Sequence, residues 1–167
     1  MTKSHLTAIS RKTPSAPISR LDASNRLEGI KLLDYGCGKG TDADYYNMDK
    51  YDPHYFNDID LQENTYDLIT CTYVLNVIEC EDERQQVIND IEDLLKDGGK
   101  AFITVRRDVK STGYTSRGTY QENIQLKLPI LWENGQYCTY VIEKASFDTS
   151  DQDDQAHIDH LAWCFER

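Results

Sequence analysis

The stretch KLLDYGCGKG, Lys31 to Gly40, carries one acid, Asp34, and glycines at three alternate positions, Gly36, Gly38 and Gly40. Glycine is selected where the backbone must turn left-handed or where something must come very close to it. An acid and a bare backbone at the end of an apolar run suit a nucleotide-like ligand held by N–H groups and a helix N-terminus. A dinucleotide turn would read G-x-G-x-x-G, whereas here the third glycine falls one residue early and position 41 is threonine. A second acid, Asp52, stands in KYDPHYF beside Pro53 and His54. Further on, RRDVKSTGYTSRGTYQEN gathers Arg106, Arg107, Lys110 and Arg117 with Tyr114 and Tyr120, side chains that pair with anions and stack on planar rings.

Strand, glycine turn and helix must position the first motif. GIKLLDY is a short apolar strand, and TDADYYNM a helix with Thr41 as its expected N-cap and acids in its first turn. KYDPHYF can supply only three or four residues of strand before Pro53. YDLITCTYVLNVI starts as a buried strand, and Val87, Ile88, Ile91, Leu94 and Leu95 then mark an amphipathic helix, expected to close at Gly98 or Gly99. KAFITV is another strand, residues 106–123 read as a long ordered loop, and Asn134-Gly135 centres a hairpin. Residues 1–28 read as an irregular basic arm with one helical turn near Leu21 to Leu27 and no core element. Residues 146–167 read as an acidic linker and a small helix docking through Leu161, Trp163 and Phe165 on the domain formed by 29–145.

The 167 residues fit one α/β domain and carry a net charge of -11, which argues against non-specific coating of nucleic acid. That charge is segregated: residues 1–31 and 100–127 are each +4, while 32–99 hold -13 and 128–167 hold -6. Five scattered cysteines without a CxxC suit reduced thiols rather than disulfides or zinc. His157 and His160, with Asp153 and Cys164 nearby, could form a metal face, but surface histidines are the better reading and no metal is expected. With no long apolar window and no apolar leader, the protein is expected to be cytoplasmic and not to engage a membrane.

Asp34, Gly36, Gly38 and Gly40 together with Asp52 resemble class I S-adenosylmethionine-dependent methyltransferases over roughly Gly29 to Lys144. The resemblance implies a Rossmann-like sheet. Asp52 follows Gly40 by twelve positions and Tyr66 follows Asp52 by fourteen, too few for the family's third strand and its helices. The expected order, in the family's strand numbering, is therefore a trimmed 2-1-4-5-7-6 with an antiparallel C-terminal hairpin. SRKTPSAP, YGCGKG, YDPHYF, YVLNVIE and GYTSRGTYQ also resemble a small group of bacterial and phage methyltransferase-like proteins, some linked to DNA phosphorothioation loci.

The cofactor implied is S-adenosylmethionine, with Asp34, Gly36, Cys37, Gly38 and Gly40 facing its methionine moiety and Asp52 its ribose. Pro53 and His54 would lie by the adenine and Tyr73 by the sulfonium. The family's acid for the adenine amine has no firm counterpart, though Asp58 or Asp60 could reach. Tyr73 and Asn76 are the residues expected to line the acceptor pocket. Arg117 is the expected clamp, with Arg106, Tyr114 and Tyr120 binding an anionic acceptor: a small molecule, a nucleotide, or nucleic acid held by this local patch. Neither an Asn/Asp-Pro-Pro-Tyr/Phe motif nor a Pro-Cys nucleophile is present, which removes most weight from amino- and C5-methylating DNA mechanisms. A non-catalytic cofactor-binding subunit of a DNA-modification system is the alternative, and a nicotinamide oxidoreductase is disfavoured by the glycine spacing.

Overall fold

The computed structural model describes residues 4–146, so the expected C-terminal helix and the histidines near it lie outside the described residues. Six strands form one sheet in the order β2 (Asp49–Tyr51), β1 (Leu32–Tyr35), β3 (Tyr66–Thr72), β4 (Leu95–Arg106), β8 (Tyr137–Glu143), β7 (Ile130–Glu133). The first four run parallel, and β8 and β7 are antiparallel to their neighbours. This is the trimmed methyltransferase order expected from the sequence, with no strand beyond β2 in the sheet among the described residues.

Strand alternation divides the core into two layers. Leu33, Ile69 and Ile103 face α3 (Glu81–Leu94), which buries Ile88, Ile91 and Leu94 against them. Leu68 and Phe102, one position along, face α1 (Ala16–Ala23) and α2 (Thr41–Tyr46) through Ile18, Leu21 and Ala43.

Three expectations are corrected. Instead of an irregular arm without a core element, the N-terminal segment folds Ala16–Ala23 into α1. Pro17 occupies its first turn, where a missing N–H costs nothing, and Ile18 and Leu21, spaced i and i+3, are 0% and 1% exposed. Thr41 is the first residue of α2, and the N-cap is Gly40, with φ of 79°. Helix α3 ends at Leu94 rather than at the glycines: Leu95 already pairs with Tyr66, and Lys96 to Gly99 bulge out before Lys100 pairs with Leu68. Lys96 holds the bulge by an ion pair to Asp67 at 3.0 Å, and Gly98 N donates to Lys144 O at 2.9 Å.

The hairpin forms where Asn134-Gly135 predicted it. Asn134 Oδ1 accepts from Gln136 N and Tyr137 N at 2.8 and 2.9 Å. The long segment before it carries a two-stranded ribbon, β5 (Gly113–Tyr114) with β6 (Tyr120–Gln121), closed by Thr115 and Thr119. Among the described residues no helix is long and apolar enough to cross a membrane.

Candidate active site

The C-terminal ends of β1, β2 and β3 open into a cavity of about 580 Å³. Its floor is the turn from β1 to α2. Gly36, Gly38 and Gly40 have φ of 76°, 55° and 79°, a region L side chains rarely enter. The protein itself fills the space that side chains would take. A Cβ at Gly36 would meet Val74 Cγ2 at 2.4 Å, one at Gly38 would meet Ala8 Cβ at 3.0 Å, and one at Gly40 would meet Lys50 Cδ at 2.7 Å. Gly36 and Gly38 line the cavity, whereas Gly40 serves to start α2 beneath Lys50 and Phe56. Gly36→Ala combines left-handed strain with a clash, so a loss of roughly 3 kcal/mol in denaturant unfolding is expected.

Four of the turn's N–H groups are already used. Gly36 N and Cys37 N both donate to Tyr51 O, at 2.7 and 3.0 Å, Gly38 N donates to Asp52 Oδ2 at 3.0 Å, and Gly40 N to Cys37 O at 2.9 Å. The expectation of several free donors there is corrected for Gly36, Cys37, Gly38 and Gly40, whose N–H groups are held by the protein. Asp52 Oδ1 accepts from His54 N and Tyr55 N, so one carboxylate ties the strand end, its own turn and the glycine turn together. Asp34 is 3% exposed, accepts from Thr70 Oγ1 at 3.0 Å, and has its pKa raised to about 7 by burial and then by nearby Asp42. Cys37 lines the cavity with its thiol pushed up to about 12 by burial, so it is a neutral group at ordinary pH.

Tyr73 lines the cavity with φ of 62°, a strained conformation for an aromatic residue, held by its N–H donating to Thr104 O at 2.8 Å. Burial raises its phenol pKa, opposed by Arg106, whose guanidinium lies 5.9 Å from the ring centroid. Thr72 Oγ1, also in the lining, is buried without a protein partner. Val74, Val77, Ile78 and Val87 form an apolar wall.

The N-terminal segment forms the remaining wall, through His5, Ala8, Ile9 and Arg11. It is fastened at both ends. Ser15 N and Ser15 Oγ donate to the two oxygens of Asp42, each at 2.7 Å, and His5 stacks on His54 with ring centroids 4.0 Å apart. Tyr55 Oη adds a hydrogen bond to His5 O. No motif in the sequence marks this strap. The only available signals were Pro17 at a helix start and an acid, Asp42, in the first turn of α2.

Asp34, Gly36, Cys37, Gly38, Asp52, Pro53, His54 and Tyr73 are thus brought to one cavity. Asn76, Arg106, Tyr114, Arg117 and Tyr120 are not among its lining residues. Asn76 is 1% exposed and donates from Nδ2 to Gln121 Oε1, tying β6 to the turn after β3. Arg106 pairs with Asp108 through two hydrogen bonds, and Arg117 is exposed at the ribbon tip. Tyr114 donates to Glu79 and Tyr120 to Glu122, and the two rings meet edge-on at 5.6 Å. The +4 loop therefore docks beside the cavity rather than over it. Asp58 and Asp60 also lie outside the lining. Among the described residues no group of three His, Cys, Asp or Glu is arranged to hold a metal ion.

A sheet of this order, with a glycine turn after β1 and an acid after β2, defines the class I S-adenosylmethionine-dependent methyltransferase fold. The chain belongs to the Methyltransferase domain family, which matches residues 8–152. No curated protein matches it significantly in sequence. Among solved structures, it is similar to 1,6-didemethyltoxoflavin-N1-methyltransferase of Burkholderia thailandensis, crystallised with 1,6-didemethyltoxoflavin and S-adenosylhomocysteine. That match has 15% identity, 78% coverage of each chain and a TM-score of 0.54. It is similar as well to a protein studied for the conversion of a disulfide bond into a thioacetal group during echinomycin biosynthesis, at 12% identity, covering 89% of this chain and 88% of that one, with a TM-score of 0.54. TehB of Haemophilus influenzae matches at 14% identity over 80% of this chain and 63% of its own, again with a TM-score of 0.54. At these identities the likeness is one of fold.

Proposed function

We propose that the protein binds S-adenosylmethionine in the 580 Å³ cavity and transfers its methyl group to an acceptor that enters the same cavity. The observation that carries this reading is the donor set of the floor. Three carboxylates, Asp34, Asp42 and Asp52, line a cavity in which the N–H groups of Gly36, Cys37 and Gly38 are already given to Tyr51 O and Asp52. That surface suits a cationic ligand better than a pyrophosphate. The family and the sheet order support the same cofactor.

When bound, the cofactor supplies an already activated methyl on a sulfonium with a neutral thioether leaving group. The chain's share is therefore placement. The lone pair of Asp52 not used by Gly38, His54 and Tyr55 accepts from a ribose hydroxyl. Asp34 faces the cationic methionine end, with the backbone of Gly36, Cys37 and Gly38 beneath it. Pro53 and His54 bound the adenine side. Tyr73, held in a strained backbone, fixes where an acceptor can sit. No carboxylate pair or triad is required.

A small acceptor is favoured over a polymer. Of the side chains expected to hold an anion, Arg106 pairs with Asp108, Tyr114 with Glu79 and Tyr120 with Glu122, and Arg117 stands exposed at the ribbon tip outside the cavity lining. The cavity wall beyond Tyr73 is apolar, and the strap walls another side through His5, Ala8, Ile9 and Arg11. The non-catalytic accessory reading draws no support from this arrangement. Calorimetry with S-adenosylmethionine and with NAD tests the proposal. Binding of the first and not the second is expected, and the reverse would overturn it.

A further inference from the structure

One hydroxyl of the cavity is left over. Thr72 Oγ1 belongs to the lining, is shielded from solvent, and has no hydrogen-bond partner among the described residues. An unpaired buried hydroxyl costs stability, so the place calls for a ligand atom to complete the pair. The hydroxyls next to it on the sheet are engaged. Thr70, two positions back on the same face of β3, donates to Asp34 Oδ1 at 3.0 Å, and Thr104, which pairs with Thr72 in register on β4, shares a 2.9 Å hydrogen bond with Thr139. The cofactor reading does not use Thr72 either, since ribose, cationic end and adenine are matched to Asp52, Asp34 and the Pro53-His54 side. What adjoins Thr72 in the chain is the ring of Tyr73 and then the apolar wall of Val74, Val77 and Ile78.

We propose that the acceptor is an uncharged aromatic nitrogen heterocycle methylated on a ring nitrogen, and that Thr72 Oγ1 orients it by a hydrogen bond to a second polar atom of the same molecule. The inference deepens the methyltransferase reading above and rests on it. Its chemical part follows from what the lining withholds. An anionic acceptor meets Asp34, Asp42 and Asp52. An alkylammonium has no lone pair, and a hydroxyl or thiol needs a base to take its proton. Among the described lining residues none offers a free base beside Thr72. Both oxygens of Asp42 accept from Ser15, Asp52 is given to its turn and the ribose, Asp34 is bonded to Thr70, and His5 and His54 stack on each other. Burial raises the pKa of the Tyr73 phenol, which stays protonated at neutral pH.

A pyridine-type nitrogen keeps its lone pair at neutral pH and needs no base. As that lone pair bonds to the methyl carbon, the carbon–sulfur bond breaks and the thioether leaves neutral. The positive charge passes from sulfur to the ring, no proton moves, and the acid-lined cavity holds one such cation before and after. Three probes of similar size test this. meta-Acetylpyridine offers a neutral ring nitrogen and a carbonyl, meta-acetylphenol the same carbonyl with a hydroxyl, and nicotinate the same nitrogen with an anion. With labelled S-adenosylmethionine, kcat/KM for acetylpyridine is expected to exceed that for each of the others by about tenfold or more. Thr72→Val should lower that kcat/KM by up to about tenfold, leave the calorimetric affinity for S-adenosylmethionine unchanged, and raise Tm by about 2–4 °C by removing an unpaired hydroxyl. Thr72→Ser should keep transfer near the wild-type rate.

Preference for acetylphenol or nicotinate would overturn the inference while leaving the cofactor reading standing. So would a protein that binds S-adenosylmethionine yet transfers nothing to acetylpyridine above the protein-free rate. A Thr72→Val variant with lower Tm would show the hydroxyl to be structural, and one with weaker S-adenosylmethionine binding would give it to the cofactor; either removes Thr72 from the acceptor. If S-adenosylmethionine did not bind the wild type, the cofactor reading would fall first.

Discussion

Asp52→Ala is expected to weaken S-adenosylmethionine binding at least a hundredfold, and methyl transfer at sub-saturating cofactor with it. Two losses add. The ribose loses the hydrogen bond to the one acceptor site of this carboxylate that the turn leaves open, worth roughly 1.5–3 kcal/mol. The turn also loses its clasp, because the same carboxylate accepts from Gly38 N at 3.0 Å, His54 N at 2.9 Å and Tyr55 N at 3.1 Å. Asp52→Asn separates them in part, since the amide oxygen can keep His54 N and Tyr55 N while its NH2 faces Gly38 N–H and carries no charge for the ribose. It should melt below wild type but above Asp52→Ala, and bind the cofactor about tenfold more weakly. Calorimetry beside thermal denaturation measures both. Asp52→Ala binding within threefold of wild type would remove Asp52 from the ribose.

The parts of this site that were legible in the sequence are those fixed by the local backbone. Three glycines with positive φ, a three-residue strand stopped before Pro53, and Asn134 receiving two turn N–H groups are each set by a few neighbouring residues. The missing third strand was legible too, because chain length between Gly40 and Tyr66 leaves no room for it. What the glycines make room for was not legible. Val74, Ala8 and Lys50 fill the space above them, and those contacts join residues distant in sequence. The strap escaped for the same reason: Ser15 bonds to a carboxylate 27 positions away, and nothing at Ser15 announces it. What a charge count cannot see is pairing: Arg106 and Arg107 look available in the sequence and pair in the fold with Asp108 and Glu133.

Asp34 should make both stability and cofactor binding depend on pH, in opposite senses. Its carboxyl is raised from an ordinary 3.8 to about 7 in the folded protein, first by burial and then by Asp42, with Thr70 pulling the other way. The folded state therefore holds a proton that the unfolded chain releases at much lower pH. This group's contribution is fully present below about pH 4 and is lost as pH rises through 7, on the order of 4 kcal/mol in all. Asp34→Asn removes the ionisation but keeps an acceptor for Thr70 Oγ1. Denaturant unfolding from pH 5 to 8 should show the variant gaining on the wild type as pH rises, with the gap flattening above 7. Binding runs the other way. A cationic methionine end needs Asp34 ionised, so the wild-type affinity should fall about tenfold per unit below pH 7, and binding near pH 6 should release a proton. Calorimetry in buffers of different ionisation enthalpy counts that proton. In Asp34→Asn both the proton release and the steep pH dependence should disappear. If wild type and variant kept parallel stability curves across this range, Asp34 would not be the titrating acid.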